Sequence, residues 1–143
     1  MDNLYREFIL EHYREPHNRG VLDPADLRFA DSNPTCGDEV SLTLRLDSAG
    51  ERVEDVAFDG RGCAISQASA SIMTDQLRGR TLDELREMDP KAVVADLGVP
   101  IGPARLKCAL LAYKVLQGAL GAEAHWPDEA EILGDASGGG SAP

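Results

Sequence analysis

Aromatic residues are scarce in this chain: they make up 5% of its 143 residues, with a single Trp. The core is therefore predicted to be chiefly aliphatic, drawn from a 43% share of hydrophobic residues that is ordinary for a globular protein. No apolar run is long enough to span a bilayer, which argues against a membrane role. The opening residues are charged and polar and lack an apolar h-region, so no secretory leader is expected. Basic residues are outnumbered, with 14 Lys and Arg against 25 Asp and Glu and a net charge of −11. That excess repels phosphate backbones and argues against nucleic acid as a partner. Only three cysteines are present, and no two of them form a local Cys-x-x-Cys pair. An odd count does not make a disulfide framework, and a reducing, cytoplasmic setting is expected. The length suits one domain around one core.

What is present gathers around those cysteines. They lie in Thr35-Cys36-Gly37-Asp38, in Gly60-Arg61-Gly62-Cys63-Ala64-Ile65-Ser66, and in Arg105-Leu106-Lys107-Cys108-Ala109. Cys36 and Cys63 are 27 residues apart, and Cys63 and Cys108 are 45 apart, so a shared site has to be assembled by the fold. Gly beside Cys36 and Cys63 allows a sharp turn or a close approach. Asp38 adds a hard oxygen. Three sulfurs and a carboxylate are the right number for a tetrahedral metal site. Three buried thiols acting as small hydrophobes fit the same spacing. Arg61, Arg80, Arg105 and Lys107 lie near these motifs and make a locally cationic site conceivable in an acidic chain.

The periodicity predicts an α+β chain. Residues 2–14 read as an amphipathic helix with Leu4, Phe8, Ile9 and Tyr13 inward, ended by Pro16. His12 and His17 read as ordinary histidines, with no carboxylate at ligand spacing beside them. Leu27–Ala30 suggests a short edge strand. Val40, Leu42, Leu44 and Leu46 alternate cleanly as one face of a strand, and residues 47–50 make a turn. Residues 52–58 return, with a slip between Val53 and Val56 that predicts a bulge. In that antiparallel hairpin Cys36 enters and Cys63 leaves at the same end, which is how a 27-residue gap can close. Residues 64–77 read as a helix of small residues, with Ser66 and Ser69 tolerating burial rather than acting as nucleophiles. Cys63 stands just before it, where helix N–H groups favour thiolate. Thr81 and Glu84 form a capping box. Asp89-Pro90 opens another helix that Gly98 stops. The last long helix runs from about Pro103 to Leu120, with Ala104, Cys108, Leu111 or Ala112, Val115 and Ala119 on one face. Residues 1–125 read as the domain and 126–143 as a C-terminal extension, with 138–141 a flexible tail.

The motifs Pro34-Thr35-Cys36-Gly37-Asp38, Gly62-Cys63-Ala64-Ile65-Ser66 and Lys107-Cys108-Ala109 resemble the three cysteine motifs of the iron–sulfur assembly family of IscU, NifU N-terminal and SufU proteins. His12-Tyr13, Pro16, Asn18 and Gly20 resemble its opening, and the likeness runs from about Leu4 to Leu120. The resemblance implies a small antiparallel sheet with helices packed on one side. It implies a scaffold or zinc-bound sulfur acceptor, with Cys36, Cys63 and Cys108 binding the cofactor and Asp38 joining them on the metal. Zinc is the expected metal and a transient iron–sulfur cluster the expected cargo. A SufS-like cysteine desulfurase is the implied donor, with downstream iron–sulfur assembly proteins as further partners. Lys107 stands where IscU-type members carry His, which is the SufU-like pattern. The interval before Cys108 looks too short for the insertion typical of SufU-type members. Residues 99–106 lack the Leu-Pro-Pro-Val-Lys motif of IscU members, so a chaperone partner is not implied.

Cys36 is the expected sulfur-accepting thiol, because it lies on a Gly-containing loop; Cys108 is its rival. A structural zinc module without sulfur transfer is the alternative function, although structural sites usually pair their ligands locally. A zinc hydrolase lacks support, since no His-Glu-x-x-His or similar general-base motif is present.

Overall fold

The alternation of Val40, Leu42 and Leu44 buries one face of the central strand almost completely, at 2%, 1% and 0% exposure. The computed structural model of the chain describes residues 2–123 and 125–133, with side chains from Arg6 onward. Strands β1 (Leu27–Asn33), β2 (Asp38–Leu46) and β3 (Val53–Arg61) form one antiparallel sheet in the order β1-β2-β3. Arg45 pairs with Asp55 and Leu46 with Val53, so Glu54 is the extra residue of the expected bulge. That extra residue lets Val53, Val56 and Phe58 all face the core. β1 is longer than the predicted Leu27–Ala30, because Asp31, Ser32 and Asn33 continue the ladder opposite Val40, Glu39 and Asp38.

The helices that accompany the sheet are α1 (Asp2–Arg14), α2 (Ala64–Thr74), α3 (Leu82–Arg86), α4 (Pro90–Ala95) and α5 (Pro103–Ala119), with a further helical stretch over residues 129–133. α5 packs on β1 and β2, α2 packs on β3 and α5, and α1 packs on α2. Phe58, Leu111, Val115 and Leu116 meet in the main core, each at 0% exposure. Full burial of such a side chain contributes roughly 1.5–3 kcal/mol. The small residues of α2 let the two helices approach, and Ser69 Oγ donates to Ala109 O of α5 at 2.8 Å. The segment after α1 covers the free edge of β3: Phe58 N–H donates to Asn18 O at 2.9 Å, and Gly20 N–H to Phe58 O at 2.8 Å.

The expected caps are present. Thr81 and Glu84 exchange both bonds of the capping box, and Asp89 accepts from Lys91 N–H. Three expectations are corrected. On α1, Ile9 and His12 are buried while Phe8 and Tyr13 are 38% and 43% exposed, so the inward stripe is rotated from the predicted one. α2 ends at Thr74 rather than Leu77, and turns carry the chain onward. α5 is buried on most of its circumference rather than on one face, with Ala104 exposed at its start.

The C-terminal segment packs back onto this core. Ile132 joins Leu106 and Leu110 in a small cluster, with Trp126 against it. Lys107 and Lys114 place their ammonium groups 5.5 Å and 4.8 Å from the Trp126 ring centre. Lys114, 8% exposed, also pairs with Asp31. The expected tail at residues 138–141 lies outside the described residues. No described helix is long and apolar enough to cross a membrane.

Candidate metal centre

Four separate pieces of backbone deliver the candidate ligands to one end of the sheet. Asn33 pairs with Asp38, so residues 34–37 form the tight turn between β1 and β2. Cys36 N–H and Gly37 N–H both donate to Asn33 O, at 3.2 Å and 2.9 Å, and Gly37 closes the turn at φ +74°. Cys36 is exposed at its tip. Asp38, the first residue of β2, is fully buried. β3 runs out at Arg61, and Cys63 follows as the N-cap of α2. Cys108 lies in the second turn of α5 at 0% exposure.

The side chains converge. Cys108 Sγ lies 3.6 Å from Cys36 Sγ. One ligand atom each of Cys36, Asp38 and Cys108 lies within 4.8 Å of the others. Cys63 Sγ stands 3.9 Å from Asp38 Oδ2, and Cys63 N–H donates to Asp38 Oδ1 at 2.8 Å. Asp38 thus holds the start of α2 through one oxygen and faces the thiols with the other. Burial pushes the Cys108 thiol well above the usual thiol range, and its hydrogen bonds with Asp38, Cys36 and Cys63 add to that shift. A cation among these groups reverses the effect, because a coordinating thiol is deprotonated.

The donor set fits zinc. Three sulfurs and a carboxylate oxygen suit a borderline-soft tetrahedral ion. Two sulfurs each about 2.3 Å from zinc in a tetrahedron are about 3.8 Å apart, close to the Cys36–Cys108 separation.

Two supports of the site depend on contacts made across the fold. A Cβ on Gly62 would stand 2.3 Å from Asp38 Oδ1 and 2.8 Å from Asp38 Cα, so only glycine fits behind the carboxylate. Gln67, 3% exposed, reaches back from α2 so that Nε2 donates to Glu39 O at 3.4 Å and to Ser66 Oγ at 3.1 Å. It ties the helix to the strand that begins with Asp38. Ser66 Oγ donates to Cys63 O at 3.1 Å, a structural role in line with its sequence reading.

The cationic surround is thinner than the sequence suggested. Arg61 pairs with Glu39 at 3.2 Å, and Lys107 lies against Trp126. Arg80 sits beyond the other end of α2, where Val53 N–H donates to its carbonyl. The two N-terminal histidines also depart from their expected isolation: His12 and His17 meet Asp75 in a second cluster. Asp75 is 58 residues from His17, so local spacing could not reveal it.

A family profile for the NifU-like N terminal domain matches residues 4–125. The chain belongs to that family. Among NifU-like relatives, the zinc-dependent sulfurtransferase SufU of Bacillus subtilis (strain 168) is 41% identical over 135 residues, covering 82% of this chain and 89% of that protein. The iron–sulfur cluster assembly scaffold protein IscU of Streptococcus pyogenes serotype M1 is 34% identical over 139 residues, covering 84% of each chain. A crystal structure of a putative iron–sulfur cluster assembly scaffold protein for the SUF system, from Fervidobacterium islandicum AW-1, superposes with a TM-score of 0.68 at 34% identity. It covers 80% of this chain and 94% of its own. The three-stranded antiparallel sheet with its helices is therefore the NifU-like N-terminal fold.

Proposed function

We propose that this chain is an iron–sulfur cluster assembly protein that holds zinc through Cys36, Asp38, Cys63 and Cys108 and accepts sulfur at Cys36 from a cysteine desulfurase. The observation that carries the reading is the convergence of the Cys36 and Cys108 thiols with the buried Asp38 carboxylate, with Cys63 Sγ 3.9 Å from that carboxylate, Cys36 exposed on a turn and the carboxylate anchored to the next helix. Similarity to a relative named as a zinc-dependent sulfurtransferase supports the same reading. Bound zinc would hold the thiols as thiolates and tie the turn to α2 and α5.

The protein's own residues divide the work. Cys108 is fixed in a helix and Cys63 at a helix cap, so both are costly to move. Cys36 lies on a four-residue turn and can swing outward at less cost. Its thiolate attacks the outer sulfur of the donor's persulfide. A bond from Cys36 to that sulfur forms, the donor's sulfur–sulfur bond breaks, and the donor cysteine leaves as thiolate. The exchange involves no net oxidation. Free thiols in this arrangement favour a reducing, cytoplasmic setting. A scaffold role, with an iron–sulfur cluster as cargo on the same three cysteines for delivery to downstream assembly proteins, is the second reading, supported by likeness to a relative named as a scaffold.

The test is mass spectrometry of trapped persulfide after incubation with a SufS-like cysteine desulfurase and cysteine. We expect the label on Cys36. Label on Cys108 with Cys36 unmodified overturns the assignment, and no label on any cysteine leaves a structural zinc module as the better description.

A further inference from the structure

α2 carries ligating groups at both ends. Cys63 caps its start and Asp75 its finish, a rise of about 18 Å along the helix. At the Asp75 end, one ring nitrogen each of His12 and His17 and a carboxylate oxygen of Asp75 lie within 4.8 Å of one another. They come from the last turn of α1, the turn that follows it, and the C-cap of α2.

Each of these groups is held by a neighbour. Ser71 Oγ lies 2.6 Å from His12 Nδ1 and accepts from His17 backbone N–H at 2.8 Å. Asn18 Nδ2 donates to Asp75 Oδ1 at 2.9 Å and to Thr74 Oγ1 at 3.0 Å. That leaves Asp75 Oδ2 facing His17 Nδ1 at 2.6 Å. Phe8 packs edge-on against the His12 ring, with centres 4.8 Å apart, and the two imidazoles lie 4.4 Å apart. Ligands oriented by a surrounding shell of hydrogen bonds are the usual dress of a metal site. Burial, and His17 beside it, disfavour the charged form of His12, and the neutral ring is the one that binds metal. The cluster borders a cavity of about 490 Å³ lined by Phe8, Glu11, His12, Arg14, Glu15 and His17.

We propose that His12, His17 and Asp75 form a second metal site, distinct from the cysteines, for a borderline divalent ion such as nickel, cobalt or zinc. Two imidazole nitrogens and one carboxylate suit these ions, whereas calcium and magnesium call for oxygen donors throughout. The ion takes the place of the proton between His17 and Asp75. Ligand bonds of about 2.0–2.2 Å require that pair to open by somewhat more than half an ångström. Both side chains can move, being 54% and 42% exposed. Water from the cavity completes the coordination. A plain surface ion pair, the competing description, predicts no bound metal and contributes little.

The experiment uses the full chain, loaded with one equivalent of zinc per chain and then titrated with nickel alone. We expect one further equivalent by calorimetry, a nickel-edge spectrum with nitrogen and oxygen donors, and perturbed ring resonances of His12 and His17. His17→Ala and Asp75→Asn should each weaken this binding by at least about tenfold, the scale set even by supporting groups. The zinc held elsewhere should be unchanged in both. Absence of nickel binding, a spectrum with sulfur donors only, or a second equivalent that persists in both variants overturns the proposal. It stands apart from the reading of the cysteines, because neither variant touches them.

Discussion

Gly62→Ala tests the architecture of the cysteine site more sharply than removal of a ligand. Gly62 has φ +144°, a region that side chains rarely adopt, and its added Cβ would meet Asp38 Oδ1 at 2.3 Å, Asp38 Cα at 2.8 Å and Asp38 Cβ at 3.0 Å. Rotating the Asp38 side chain cannot relieve the clash with its backbone, so β2 and the start of α2 must separate. The backbone strain costs about 1–3 kcal/mol, and the overpacking costs a similar amount. A total of about 3 kcal/mol moves a urea midpoint by about 1.5 M at a slope of about 2 kcal/mol/M. Gly37→Ala is the control. It also has a positive φ, +74°, but its Cβ would meet nothing within 4 Å. Strain alone costs about 1 kcal/mol there, or about 0.5 M. Urea unfolding of the metal-free proteins gives both midpoints. A zinc competition with a chromogenic chelator then reads the site. Gly62→Ala should surrender zinc at lower chelator concentration than wild type, and Gly37→Ala should hold it nearly as well. Equal midpoint shifts, or equal retention of zinc, would refute the argument that the carboxylate is wedged against Gly62.

Asp38→Ala should leave three thiolates and an open position, so zinc is weakened but retained, whereas Cys63→Ser should lose it more completely. Chelator competition on the two variants side by side decides this, and equal losses would mean Asp38 is not the labile ligand. The folded-state pKa of His12 is lowered from 6.5 by burial first and by His17 second, while Asp75 and Glu11 oppose the shift. The unfolded chain therefore binds more protons just below pH 6.5, so His12 contributes stability that is present above that pH and lost as pH falls through it. Wild-type urea midpoints should drop more between about pH 7.5 and pH 5.5 than those of His12→Gln. The aspartates with lowered pKa values, such as Asp55 beside Arg78, act in more acidic solution, as pH falls through 3.8.

The local grammar of the chain was legible, and the long-range polar pairings were not. The β2–β3 hairpin, its bulge, the capping box at Thr81 and the small-residue helix after Cys63 each follow from a few adjacent residues. The hairpin also explained why Cys36 and Cys63 share an end. Cys108 was tied to them by resemblance rather than by spacing. Gly62 reads as allowing a close approach, but the group that approaches, Asp38 from another strand, was not legible. Lys114 draws no reading from the sequence, yet it is buried between Asp31 and Trp126 because α5 is covered on nearly every side. The inward face of α1 was misjudged for a related reason. His12 is assigned to neither face by the sequence, and its buried ring finds a polar partner in Ser71 of α2, 59 residues away.

The clasp between α2 and α5 has a consequence for how such a chain can vary in length. Ser69 and Ala109 pin the two helices beside the cysteines. Everything from Asp75 to Gly102, including α3 and α4, is an excursion that leaves at the far end of α2 and returns at the start of α5. Doubling the length of a flexible loop adds only about 0.6 kcal/mol of closure entropy. Residues inserted at the exposed turns of that excursion, away from its buried Leu77, Leu85 and Leu97, therefore leave the spacing of the thiols intact. The distance in sequence between Cys63 and Cys108 is accordingly a poor guide to membership of a subgroup, while the packing of two helices, indifferent to what lies between them, keeps the ligands in register.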